Sequence, residues 1–131
     1  MVWLIVLLAL ACACDIRHQR VPNWLSLSVV AVCIALLLNR EHDLSLLIIA
    51  KSLGITLVLT IPGYARGAFG AADIKLLLGL ALLLTYTQMA WLLVTAFSIF
   101  CVYWWLFCRR KTCAPFVPAI FSAFCVHLTM I

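Results

Sequence analysis

Charged residues are scarce in this chain. They make up 10% of its 131 residues, against a hydrophobic share of 68%, and the mean hydropathy is +1.25. So little polar surface cannot wrap a water-soluble core, which excludes an ordinary soluble domain and makes the bilayer the expected surroundings. Acids are scarcer still: Asp15, Glu41, Asp43 and Asp73 are all there are. No C-x-x-C pair occurs. The seven cysteines are odd in number and most lie inside apolar runs, where cysteine acts as a small hydrophobe, so neither a zinc site nor a disulfide framework is expected. Cys12-x-Cys14 is the only close pair. No basic residue precedes the first apolar run, Val2 to Cys14, as the n-region of a cleaved signal requires, although Ala11-Cys12-Ala13 has the small residues of a cleavage site. The run therefore reads as a retained first helix that continues past Asp15 towards Arg17 or His18. No internal repeat is visible.

The apolar runs that remain predict an all-α, polytopic membrane protein of about six transmembrane helices, with residues 1–131 forming a single membrane-embedded domain. Asp15 to Asn23 is the first loop; Pro22 pushes Val21 out of helical geometry and Asn23 suits the N-cap of a second helix, Trp24 to Leu38. Asn39-Arg40-Glu41-His42-Asp43 reads as a compact turn. A third helix follows from Leu44 to Ile61, carrying Lys51, and Pro62-Gly63 is expected to end it. A fourth helix is placed from Ala68 to Thr85, about 27 Å long at 1.5 Å per residue. That placement puts Asp73 more than one turn inside it. Tyr86-Thr87-Gln88 reads as a polar turn before a fifth helix, Met89 to Phe107, with Trp104 and Trp105 near an interface. Arg109-Arg110-Lys111 closes that helix, and the last runs from Pro115 to the end.

The formal net charge is +5. Its distribution argues for topology and against nucleic acid. Arg17 and Arg20 fall in the first loop, Arg66 in the third with Lys75 just beyond, and Arg109, Arg110 and Lys111 in the fifth. The second loop has Arg40 beside two acids, and the fourth has no charge. Basic residues thus gather in the odd loops, which the positive-inside rule assigns to the cytoplasm, with both termini outside. Asp15 and Asp73 then share one depth, near the cytoplasmic face.

Ionisable residues within membrane helices are costly and mark functional sites by default. Two carboxyls at one depth suit the aspartic-protease division of labour. One, ionised, deprotonates a water; the other, protonated, hydrogen-bonds the scissile carbonyl. The small residues Gly67 to Ala72 would let an extended substrate backbone approach. The bland alternatives are local: Asp15 pairing with Arg17 or His18, and Asp73 capping its helix or pairing with Lys75.

Three segments carry a family resemblance. Asp15-Ile-Arg-His-Gln-Arg-Val-Pro-Asn23 resembles the D-x-R-x-x-R-(I/V)-P-N segment of small type IV prepilin peptidases. Gly70-Ala-Ala-Asp-Ile-Lys-Leu-Leu77 is similar to their G-x-G-D-x-K-L-L segment, and Ala114-Pro-Phe-Val-Pro-Ala-Ile120 to their closing I-P-F-x-P segment. Order, spacing and helix count agree along essentially the whole chain. The resemblance implies a GxGD-type intramembrane aspartyl endopeptidase that removes the short basic leader of prepilins or pseudopilins at the cytoplasmic face of the bacterial inner membrane. Asp15 and Asp73 would be its catalytic pair, with no metal or other cofactor. Larger members also methylate the new amino terminus and carry a zinc segment with paired C-x-x-C motifs; this chain lacks those motifs and resembles the peptidase-only form found with Flp or tight-adherence pili.

Two departures stand out. Ala72 replaces the glycine directly before the second aspartate, and Ala68 a glycine upstream. If position 72 needs positive φ, the methyl hurts; if it is helical, alanine is favourable. Gly70, Ala71 and Ala72 are assigned to substrate approach. Lys75 is expected to snorkel to headgroups, with a substrate role as the alternative. Pro22, Asn23, Pro115 and Pro118 are assigned to shaping turns and helix starts near the site. The expected partners are the prepilin substrate and the lipid bilayer. Two rival classes are a small proton-coupled transporter, which favours midplane acids and inverted repeats, and a catalytically silent homologue acting as a pilus-assembly membrane protein.

Overall fold

The computed structural model describes residues 2–40, 45–67, 69–107 and 115–130. These form six α-helices and, among the described residues, no strand: α1 Val2–His18, α2 Asn23–Leu38, α3 Leu46–Ala65, α4 Ala71–Leu83, α5 Tyr86–Phe107 and α6 Val117–Met130. The all-α class and the six helices agree with the sequence reading. Glu41, His42, Asp43 and Leu44, Ala68, and the Arg109–Lys111 run with Ala114 lie outside the described residues.

Helix ends differ from expectation wherever capping chemistry outweighs composition. Pro22, not Asn23, is the N-cap of α2: its φ of −62° and ψ of 141° are extended, and its carbonyl accepts from Leu25 and Ser26. The Asn23 side chain is engaged elsewhere, by Lys75. Pro62 does not end α3. It lacks only its own N–H; its carbonyl still accepts from Arg66 N–H at 3.2 Å, so the last turn closes, and the chain leaves at Gly67 with φ 72°. Helix α4 is 13 residues long, about 20 Å, and starts three residues later than expected, so Asp73 belongs to its first turn. The supposed turn Tyr86–Gln88 is helical. Gln88 Oε1 accepts the Thr85 N–H at 3.1 Å, half of a capping box that starts α5 early. Helix α6 begins at Val117 on the Phe116 carbonyl, which accepts from Ala119 and Ile120, leaving Pro115 ahead of the helix and Pro118 in its first turn.

The helices pack in a closed ring in the order α1, α2, α4, α3, α5, α6 and back to α1. Helices α2 and α4 run parallel. Lys75 Nζ donates to Asn23 Oδ1 at 2.6 Å near their N-terminal ends, and Arg40 donates to the Leu83 carbonyl at 3.2 Å at the other, where a cation satisfies an orphan helix-end carbonyl. Gly79 faces α2, where a Cβ would make ordinary contact, 3.5 Å from Cys33 Sγ and Val30 Cγ2.

One apolar core joins five helices, from Leu4 and Leu8 of α1 through Leu76, Leu77 and Leu80 of α4 to Ile120 and Phe124 of α6. Helix α3 is the exception. Its fully buried side chains are Ser52, Thr56 and Thr60, while Leu46, Leu47, Val58 and Ile61 face outward. Thr56 and Thr60 donate back to the Ser52 and Thr56 carbonyls at 2.8 and 2.7 Å, so these two hydroxyls are satisfied within the helix, whereas the buried Ser52 Oγ has no partner among the described residues. Helices α3 and α5 have the length and composition to cross a membrane, with mean hydropathy of 1.9 and 1.8.

Candidate active site

Asp15 lies in the last turn of α1 and is 7% exposed. Its Oδ2 accepts the Val117 N–H at 3.2 Å, and the Phe116 amide also faces it. The carboxyl therefore stitches the end of α1 to the start of α6, where unpaired amides and the helix dipole favour an anion. Asp73 is the third residue of α4, and its Oδ2 accepts the Gly70 N–H at 3.2 Å. Among the described residues neither carboxyl has a basic partner, so the pairings of Asp15 with Arg17 or His18, and of Asp73 with Lys75, are absent there; the capping role of Asp73 is present.

Both carboxyls line one cleft of about 920 Å³, and they are close enough for the charge of Asp15 to act on Asp73. Helix α1 packs on α2 and α6, and α4 on α2 and α3, so the two carboxyls reach the same cleft from helices that are not principal packing partners. Gln19, Gly67, Phe69 and Gly70 continue the cleft on one side, Pro115 and Phe116 on another. Helix α5 closes it with Phe100, Cys101, Val102, Trp104 and Trp105. The result is two acids on an otherwise largely apolar, aromatic wall.

That wall is organised by Phe69. Its ring packs edge-on against Phe116 at 4.9 Å and Phe97 at 5.6 Å, and Phe116 meets Phe100 at 5.0 Å. The ring also rests directly on Gly63, where any Cβ would overlap it. Gly63, read from sequence as a helix terminator, is needed for its lack of a side chain. Phe69 was discoverable as the one large residue in a run of small ones; the α5 contribution was not, beyond the placing of its tryptophans near an interface.

Of the other assigned residues, Gly70 lines the cleft as the α4 N-cap, while Ala71 and Ala72 are the first two residues of α4 and do not line it. Ala72 has ordinary helical backbone; the positive-φ glycine of this segment is Gly67. Lys75 also lies off the cleft, joined to Asn23, so it ties the second motif to the first. Pro22 caps α2, Pro115 lines the cleft, and Pro118 sits in α6. Cys12, Cys14, Cys33, Cys101 and Cys125 are free thiols, and among the described residues no cluster of His, Cys, Asp or Glu has the makings of a metal site. His127 lines a second, smaller cavity with Trp91 and Met130, between α5 and α6, away from the carboxyls.

Residues 2–107, which include both aspartates, match the model of the type IV leader peptidase family. The chain belongs to the type IV leader peptidase family. The match takes in the first two motif segments and stops before the Ala114–Ile120 segment, so the α6 end of the site enters through the geometry of Asp15 and Val117. No curated protein and no solved structure gives a match. Membership implies a peptidase of aspartic type.

Proposed function

We propose that the protein is an intramembrane aspartyl endopeptidase that cleaves the basic leader from prepilins or pseudopilins, with Asp15 and Asp73 as the catalytic pair. The observation that carries this reading is the meeting of two acids, 58 positions apart in sequence, in one open cleft of a chain with four acids in all. One carboxyl in its ionised form takes a proton from a bound water as that water attacks the scissile carbonyl. The other, protonated, donates a hydrogen bond to the carbonyl oxygen as negative charge develops there. Proton transfer to the leaving amine completes the hydrolysis. The aromatic face of α5 forms one wall of the cleft, which suits an extended segment with an apolar stretch beside it.

The membrane setting is part of the proposal. Large apolar side chains such as Trp3, Leu38, Leu46, Val58, Trp91 and Phe107 are exposed around the ring, and α3 turns its hydroxyls inward and most of its leucines outward. That inverted pattern suits lipid, where association relies on small and hydroxyl residues. All six helices would span or enter the inner membrane. The cleft would lie at the cytoplasmic end beside Arg17, Arg20 and Arg66, with both termini outside.

The test is co-expression with a candidate prepilin, following leader removal on gels. Wild type is expected to process the substrate. Asp15→Asn and Asp73→Asn should each lower processing by at least about a hundredfold while the protein still accumulates. Processing by both variants at the wild-type rate refutes the carboxyl pair.

A further inference from the structure

Gln19 plays no part in the carboxyl chemistry, yet it lines the same cleft as Asp15 and Asp73. Its backbone has a φ of 52°, and among the described residues it is the only non-glycine in the left-handed region. It ends α1 by donating its N–H to the Asp15 carbonyl at 2.9 Å. Glycine, and less often asparagine, is the usual residue at such a helix end, because a Cβ is crowded there. A glutamine therefore carries a steric cost that glycine avoids. Nothing in the fold repays it: the side chain is exposed, and its amide has no hydrogen-bond partner among the described residues. A strained backbone position at the rim of a candidate active site, presenting an uncommitted polar group, is the arrangement that ligand-binding residues adopt.

The chemistry of the group narrows the ligand. A peptide drawn out across the two carboxyls has main-chain N–H and C=O groups stripped of helical partners, in a cleft whose walls are mostly apolar. A carboxamide offers two donors and an acceptor on one planar group, so it can answer both main-chain functions at once. Gln19 directly follows the end of α1, four positions after Asp15, on the same cleft. We propose that Gln19 is a substrate-binding residue whose carboxamide pairs with the main chain of the extended peptide and holds the scissile bond over Asp15 and Asp73. The ligand class is extended peptide backbone, so the contribution depends little on the substrate's side chains.

This inference rests on the peptidase reading, and its test separates the two. Full-length protein in detergent is assayed with a synthetic peptide carrying a basic leader followed by an apolar segment. Gln19→Gly relaxes the backbone and removes the amide, so it should melt no lower than wild type while KM rises roughly three- to tenfold and kcat changes less. Gln19→Asn keeps the amide and tolerates the left-handed conformation, so its KM should fall between the two. In the Asp73→Asn background, Gln19→Gly should weaken peptide binding, read by fluorescence anisotropy, by the same factor. Wild-type KM and affinity in Gln19→Gly, with cleavage still dependent on Asp15 and Asp73, overturns the role of Gln19 alone. No cleavage by wild type, with peptide binding still weakened by Gln19→Gly, counts against the peptidase and upholds the binding residue.

Discussion

Two glycines of α3 set up a test in which one substitution has opposite signs. Gly54 and Gly63 both lie within the helix, and replacing a helical glycine by alanine gains about 0.5–1 kcal/mol from backbone entropy. At Gly54 a Cβ would meet nothing within 4 Å, so Gly54→Ala should realise that gain. At Gly63 the same methyl runs into the Phe69 ring, which is held on its other sides by Phe97 and Phe116. Overpacking of this kind costs about 1–3 kcal/mol, and spoiling two edge-on ring pairs costs about 0.5–1.5 kcal/mol each. Against the helical gain, Gly63→Ala should still be net destabilising, by about 1–5 kcal/mol. Denaturation of the two variants in mild detergent, followed by circular dichroism, reads the signs directly. Phe69→Leu shortens the obstructing side chain, so Gly63→Ala combined with Phe69→Leu should be more stable than the sum of the single effects. Because Phe69 lines the cleft, Gly63→Ala should also slow leader cleavage. A Gly63→Ala protein stabilised as much as Gly54→Ala would show that Phe69 does not sit on Gly63 and would remove the organising residue of the aromatic wall.

Two more outcomes follow from the site. Asp15→Ala strands the buried Val117 N–H and should cost about 1–3 kcal/mol of stability, whereas Asp15→Asn keeps an acceptor and should cost less; thermal denaturation ranks them, and equal losses would deny the α1–α6 stitch. Ala72→Gly should lower stability by about 0.5–1 kcal/mol and leave cleavage within about twofold of wild type, because position 72 is already helical. A large gain in cleavage would mean that the alanine methyl obstructs the substrate.

Much of the fold is legible in the residues. Each apolar run is a helix among the described residues, and Asp15 and Asp73 line one cleft. The misread boundaries share one cause. Thr85 with Gln88, Pro22, and Pro62 with Gly67 are settled by which amides find an acceptor, and a polar or helix-breaking residue can end a helix or cap the next one with equal ease. The candidate site divides in the same way. Asp15 and Asp73 stand out as rare acids, and Gly70 and Pro115 as motif residues. Phe100, Cys101 and Phe116 look like any other residues of greasy segments, and Gln19 looks like an ordinary loop polar.

Composition and apolar patterning alone determined that the chain is helical and that it has about six helices, and the scarcity of acids singled out Asp15 and Asp73. They could not determine which helix neighbours which. Helices that are hydrophobic nearly all round display no single stripe to choose a partner, so the ring order and the insertion of α2 between α1 and α4 were decided by tertiary contacts: the Lys75–Asn23 and Arg40–Leu83 bonds, and the Asp15 carboxyl on the first amide of α6.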